Sequence, residues 1–507
     1  MSRSFVVRPP SFGRRPHKPV SPDGRPKRPA IVRARALCLV VCLTAGFAAT
    51  AAAPAQAATV TVGVGTQFTD TSGALVHAHG GGMIKVGSYY YWFGEDRHSD
   101  GTFQYVSAWR STDLKNWEFR SHALSQSSAT ELAAANIERP KVVYNASTGQ
   151  YVMWMHKENG TDYSEARAAV AVSSSVEGPY TYLGSFRPLG THMSRDITTF
   201  VDSDGSAYMV SAAANNANLN VYRLTADYTG IASLVQVLWA GSYREAPALF
   251  KRGSVYFLLT SGATGWAPNQ QRYATATSIS GTWSSLADVG DSTTFGSQTA
   301  YVLPVQGTSA TSYLYLGDRW AGAWGGPVVD SRYVWLPLTF PTSTSMTMAY
   351  AGTLSIDAAA GTVSATGSGW ERLTLRHSGK CLDVRNQSTA NSAAITQYTC
   401  NGGANQQWRL QSISGGYYQI VARNSEKCLD VSSASTADGA ALIQYTCGSG
   451  TNQQWSLTSS GDGYVSLVAR HSGKCADVPS SSTANDVQLK QYPCNGGYNQ
   501  QFLRTTL

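Results

Sequence analysis

The sequence predicts an all-β chain in two bodies, a five-bladed propeller followed by a smaller unit closed around a threefold axis. Three observations carry this. Beyond the N-terminal segment, no stretch shows apolar residues at helical spacing; short aromatic runs alternate with Gly, Asn, Asp and Ser clusters. Strand–turn–strand units recur through the first body at intervals of 58, 49 and 53 residues. Residues 376–507 repeat with a period of 47.

At 507 residues the chain exceeds one ordinary core, so more than one domain is expected. Apolar residues make up 42% and charged residues 14%, which excludes a disordered chain. The net charge of +8 misleads. Residues 1–58 hold ten Arg or Lys and one Asp, so the rest of the chain is close to neutral and nothing points to nucleic acid.

The basic N-terminus leads into the apolar run Ala36–Ala53 and then Ala55-Gln56-Ala57, a small-x-small cleavage site. This reads as a signal peptide over 1–57, hence a secreted, extracellular protein with no membrane contact after cleavage. An anchor is disfavoured, because the run is barely long enough to span and a cleavage site follows it. Arg14-Arg15 has the pair of a twin-arginine signal with poorly fitting flanks, so the export route stays open.

The propeller is expected over 59–366. Its units read GGMIKVGSYYYWFG from Gly81, ERPKVVYNASTGQYVMWM from Glu138, DITTFVDSDGSAYMVS from Asp196, EAPALFKRGSVYFLLTS from Glu245 and QTAYVLPVQGTSATSYLYLG from Gln298. The spacing fits one four-stranded blade each. The first strands of blades converge on an axis, so His77, His79, Glu138, Asp196, Glu245 and Gln298 should face one cavity. Polar groups gathered in a concavity make the default active site.

The threefold unit is expected over 370–507. Its repeats align Cys381, Cys428 and Cys475; Asp383, Asp430 and Asp477; Tyr398, Tyr445 and Tyr492; Asn405, Asn452 and Asn499; and Trp408, Trp455 and Phe502. The remaining cysteines, Cys400, Cys447 and Cys494, each follow a partner by 19 residues. Three disulfides, one within each pair, suit an exported chain. Trp408, Trp455 and Phe502 are read as core.

Two resemblances follow. Cys-Leu-Asp-Val at 381–384 and 428–431, Cys-Ala-Asp-Val at 475–478 and Asn-Gln-Gln-Trp at 405–408 and 452–455 resemble the ricin B-type lectins, the β-trefoils of carbohydrate-binding module family 13. The resemblance implies three sugar pockets, each an Asp, a Tyr and an Asn: Asp383, Tyr398 and Asn405, and the two equivalent triples. The first body resembles glycoside hydrolase family 43, and more narrowly its exo-β-1,3-galactanases. That likeness rests on His77-Ala78-His79-Gly80-Gly81-Gly82, Tyr91-Trp92-Phe93-Gly94-Glu95, Asn136-Ile137-Glu138-Arg139-Pro140, Arg244-Glu245-Ala246-Pro247 and Gly317-Asp318-Arg319-Trp320.

The resemblance implies inverting hydrolysis of β-1,3-galactan, such as an arabinogalactan main chain, by a monomer. Glu245 is the expected general acid, and Glu138 the neighbour that tunes and positions. The base is open. The family's blade-one Asp is replaced here by a stretch without a carboxylate. The resemblance implies Gln298 in that role; Glu138, Glu95 and His79 are the alternatives. Glu95, Arg139, Tyr163, Asp196, Thr264 and Asp318 are implied around the galactose, with Trp266 and Trp320 stacking on sugar faces. No metal-ligand spacing appears and no cofactor is implied, while a structural Ca²⁺ on the axis stays open. The same propeller could serve an α-L-arabinofuranosidase or β-xylosidase, or a two-module lectin without catalysis.

Overall fold

A computed structural model describes residues 59–507; the expected signal segment, 1–57, lies outside them. Among the described residues there are strands and short 3-10 turns and no α-helix, so the all-β expectation holds.

Five antiparallel sheets of four strands follow one another, each built from consecutive strands. Their first strands are His79–Val86, Asn136–Asn145, Ile197–Val201, Arg244–Arg252 and Gln298–Gln306. Each packs against the next, and the last against the first, closing a ring. The residues read as unit starts therefore lie at or beside the inner strand starts.

One pairing was not anticipated. Val60–Gly63 joins Thr353–Asp357 and Thr362–Thr366 in a separate three-stranded sheet. The reason is apolar burial. Val62, Leu354 and Ile356 are buried in one cluster with Trp92, Tyr333 and Trp335. Covering such side chains contributes roughly 1.5–3 kcal/mol each, so the start and end of this body are held on its core.

The C-terminal unit is built on a closed six-stranded barrel. Glu371–Leu375, Trp408–Ser412, Tyr418–Ala422, Trp455–Gly461, Tyr464–Ala469 and Phe502–Thr506 pair in sequence, and the last returns to the first. Trp408, Trp455 and Phe502 are fully buried inside it, as expected. Cys381–Cys400, Cys428–Cys447 and Cys475–Cys494 are the three disulfides, each spanning 19 residues. A loop of that size contributes about 3 kcal/mol through the unfolded chain's lost entropy.

A buried seam joins the two bodies. Arg409 pairs with Asp291 at 2.9 Å, both side chains almost wholly covered. Arg319 donates to the Ser412 carbonyl at 3.0 Å, and Arg470 to that of Trp324 at 3.3 Å.

Candidate active site

A recurring backbone device aims the site residues. At the start of three inner strands the ladder slips, after His79, Glu138 and Glu245. The residue that follows each is left-handed: Gly80 (φ 62°), Arg139 (φ 55°) and Ala246 (φ 50°). Such bulges bend the strand and re-aim its side chains. Pro140 and Pro247 sit inside two of these slips, where the ladder needs no N–H from them. At Gly80 a side chain would displace Glu95, since its Cβ would lie 2.1 Å from Glu95 Oε1. Left-handed Arg139 and Ala246 carry strain of about 1–3 kcal/mol each, a feature concentrated at functional sites.

The re-aimed groups meet in a cavity of about 350 Å³. Glu95, Glu138, Arg139, Tyr163, Asp196, Glu245, Trp266, Gln298 and Trp320 all line it. Thr264 and Asp318, expected beside the sugar, do not. Thr264 is tied within its own loop, donating to the Ala267 carbonyl and accepting from Asn269. Asp318 lies behind the wall, accepting from His79 Nδ1 at 2.9 Å and the Gly80 amide at 2.7 Å. His79 is likewise buried, stacked on Tyr333, and with His77 it lines a small recess behind Glu95, Arg97 and Trp320 rather than the cavity itself.

Glu245 occupies a distinctive setting. Its Oε1 accepts from Gln298 Nε2 and its Oε2 from Asn216 Nδ2, both at 2.9 Å. Burial, reinforced by the negative charge of Asp196, pushes its pKa up to about 8 against the opposing pull of Arg139 and the Gln298 hydrogen bond. At neutral pH Glu245 therefore holds a proton.

Glu138 has the opposite setting. Burial alone would raise its pKa, yet it is held well below the usual carboxylate range by His156, Arg97 and Tyr163. Its Oε1 accepts from Tyr163 at 2.7 Å and Arg97 at 3.1 Å, and its Oε2 lies 3.2 Å from His156 Nδ1. His156 is pushed up to about 9 by Glu138 and Glu158, which outweigh its burial. Glu95 is raised by burial, with Arg97 opposing. It accepts two bonds from Arg97 and one from the Arg139 amide.

Gln298 is the hub. Its Oε1 accepts from Arg139 Nη2 at 2.6 Å and Trp320 Nε1 at 2.9 Å. Both partners are donors only, so the amide orientation is fixed. Its Nε2 donates to Glu245 and, at 3.0 Å, to Ser261. Arg139 also pairs with Asp196 at 3.0 Å and donates to the Thr299 carbonyl. One guanidinium thus links inner strands two, three and five.

Arg97, His156, Asn216 and Ser261 complete the network and were missed from sequence. Arg97 stands two residues beyond Glu95 on one strand, hence on the same face, and His156 faces Glu138 in the ladder. Those periodicities could have found them. Asn216 comes from a loop with no such signal.

Glu138, His156 and Asp196 come close enough to offer three ligand atoms to a cation. His156 itself lies between Glu138 at 3.2 Å and Glu158 at 2.8 Å.

In the C-terminal unit the three repeats build one arrangement three times. Asp383 Oδ2 accepts from Asn405 at 2.7 Å and Gln406 at 2.9 Å. Asp430 does so from Asn452 and Gln453, and Asp477 from Asn499 and Gln500. Burial raises all three carboxyls, and these amide bonds oppose it. Tyr398, Tyr445 and Tyr492 are 40–47% exposed. In the middle repeat Asp430, Tyr445 and Asn452 share one concavity. Gln406, Gln453 and Gln500 were the overlooked partners.

Comparison with known proteins fixes the kinship. The chain is 49% identical to an exo-β-1,3-galactanase from Clostridium thermocellum, covering 88% of this chain and 100% of that one, with a TM-score of 0.60. It belongs to glycosyl hydrolases family 43. Residues 80–304 match that family's description, and 369–502 match the ricin-type beta-trefoil lectin domain. An exo-β-1,3-galactanase from Phanerochaete chrysosporium, solved with β-1,3-galactotriose, is 30% identical over 88% of this chain and 93% of its own, at a TM-score of 0.59. A family 43 β-1,3-galactosidase solved with galactodeoxynojirimycin is 33% identical over 57% of this chain and 99% of its own, at 0.54. No curated protein matches significantly.

Proposed function

We propose that this family 43 member is an exo-acting, inverting hydrolase that releases galactose from the end of β-1,3-galactan. One observation carries the reading: Glu245, buried in the cavity beside Asp196, keeps its proton to about pH 8. That is what a general acid needs in order to protonate a departing glycosidic oxygen. The substrate is inferred from kinship with exo-β-1,3-galactanases. A cavity near the small end of the usual range, roughly 300–1,000 Å³, suits a chain end better than an open stretch of polymer.

Arg139 and Asp196 fix the sugar, and Trp266 and Trp320 stand edge to face at 5.3 Å where rings can pack on them. Gln298 is our assignment for the water-side group. In its imidic tautomer one Nε2 hydrogen has moved to Oε1, leaving a nitrogen lone pair that takes the water's proton, and loss of the hydroxyl proton then restores the amide. Glu138 is the second reading, favoured by its ionised state. Its three donors make it a weak base, and we assign it to positioning.

We read the five sheets as a five-bladed propeller over 59–366 and the C-terminal barrel as a β-trefoil over 370–507 that grips the polymer. We read it as an extracellular monomer; the expected export segment and the three disulfides support the extracellular part of that reading.

The test is galactose release from β-1,3-galacto-oligosaccharides, with the anomeric form of the fresh product read by NMR. Glu245→Gln should cost about 10²–10⁴-fold in kcat, and the wild-type product should be the α anomer. Unchanged turnover in the variant, or a β product, would overturn the assignment.

A further inference from the structure

A second cavity, of about 410 Å³, lies on the seam between the two bodies. We propose that it is a saccharide subsite, taking a sugar unit of the same glycan whose terminal galactose fills the first cavity. This rests on the function proposed above and extends it to substrate recognition by both domains at once.

The geometry makes the two cavities neighbours. Trp266 lines both of them, one side of its ring standing against Trp320. Gly322, in the wall of the second cavity, lets the Trp266 ring pack close; a Cβ there would come within 3.1 Å of it. A glycan end held in the first cavity therefore leaves it past an aromatic wall shared with the second.

The second cavity is built for a polyol. One side is propeller, with Trp266 and Trp324; the other is the first and second C-terminal repeats, with Arg409, Gln411 and Gln419. Gln411 and Arg409 are each 3% exposed. Gln411 Oε1 and Arg409 Nε have no hydrogen-bond partner in the protein. A buried polar atom without a partner costs roughly 1–3 kcal/mol, and a sugar hydroxyl both donates and accepts. Gln411 Nε2 reaches Gln419 Oε1 only at 3.5 Å, while Gln419 Nε2 is anchored on the Gly448 carbonyl at 2.7 Å. Aromatic faces with convergent amides and a guanidinium are sugar-binding chemistry. None of these residues belongs to the Asp-Tyr-Asn triples of the repeats, so the subsite is distinct from the three pockets on the trefoil.

The unit bound is either a further residue of the main chain or a branch on it; the chemistry is shared and the experiment separates them. Two variants of the full chain are compared with wild type. Gln411→Leu removes the free acceptor. Ser449→Tyr fills the cavity from its C-terminal side, at a residue that does not line the concavity of Asp430, Tyr445 and Asn452. Substrates are β-1,3-galactobiose, linear β-1,3-galactotetraose, and galactobiose carrying a β-1,6-galactosyl branch.

Both variants should match wild type on the disaccharide. On a longer substrate kcat/KM should fall, about 5- to 10-fold for Gln411→Leu and further for Ser449→Tyr, mostly through KM. Loss on the linear tetrasaccharide alone assigns the cavity to the main chain, and loss on the branched substrate alone assigns it to the branch. Equal loss on all three, or none on any, overturns the subsite while leaving the proposed hydrolase standing. A wild type inert on the disaccharide overturns the hydrolase reading and the subsite with it.

Discussion

The two carbohydrate-directed regions are made in opposite ways. The C-terminal unit repeats one arrangement three times, an Asp gripped by an Asn and a Gln beneath a half-exposed Tyr. The propeller cavity uses each residue once. Its carboxylates have deliberately unequal surroundings: Glu245 is raised by burial and Asp196, Glu138 is depressed by His156, Arg97 and Tyr163. Recognition tolerates copies, because each pocket does the same task. Acid–base chemistry requires groups whose proton affinities are driven apart.

The contrast can be broken most severely at Gln298. Gln298→Leu strips Glu245 and Arg139 of a partner at once, and kcat should fall about 100-fold or more. Gln298→Glu should fare no better, since a second carboxylate beside Glu245 holds both their protons too tightly. If Glu138 activates the water, Glu138→Gln should cost at least as much as Gln298→Leu, so stopped assays of both on galactobiose sharpen the assignment.

Next comes the triple change Asp383→Asn, Asp430→Asn, Asp477→Asn. Retention on immobilised galactan should drop about 10²–10⁴-fold as multivalency is lost, with turnover of galactobiose untouched. A parallel fall in disaccharide turnover would erase the division of labour. Replacing Cys428 and Cys447 by Ser should lower the stability of the C-terminal unit by about 2–4 kcal/mol, seen by calorimetry as a shift in one transition only.

The smallest effect is a displaced pH profile. Activity needs protonated Glu245, so it should fall as pH rises through about 8. Asp196→Asn deletes a charge that raises Glu245 and frees Arg139 to lower it. The alkaline limb of kcat should then move to lower pH. A limb that stays put would mean that another group sets it.

How far these regions could be read in advance differs for the same reason. Copies announce themselves: the period of 47 exposed the Asp, Tyr, Asn and Cys positions, and the 19-residue spacing matched the three disulfides. In the propeller the unit starts at Glu138, Asp196, Glu245 and Gln298 were visible because each opens an apolar strand. Their partners were harder. His156 and Arg97 are coupled to Glu138 by ladder register and strand face, which a linear scan does not display. Asn216 and the seam pair Asp291–Arg409 come from loops or distant segments that only the folded chain brings together. Thr264 and Asp318 stand two residues from Trp266 and Trp320 yet do not line the cavity, because chain proximity says nothing about which side of the wall a side chain takes.

The Arg409–Asp291 bridge has a mechanical consequence. Opening the seam there would break this pair and the two flanking hydrogen bonds, so the joint between hydrolase and lectin opens only by giving up all three contacts. An enzyme tethered by a slack linker trims whatever drifts within reach. Here the closed seam sets one span between the lectin pockets and the hydrolase cavity.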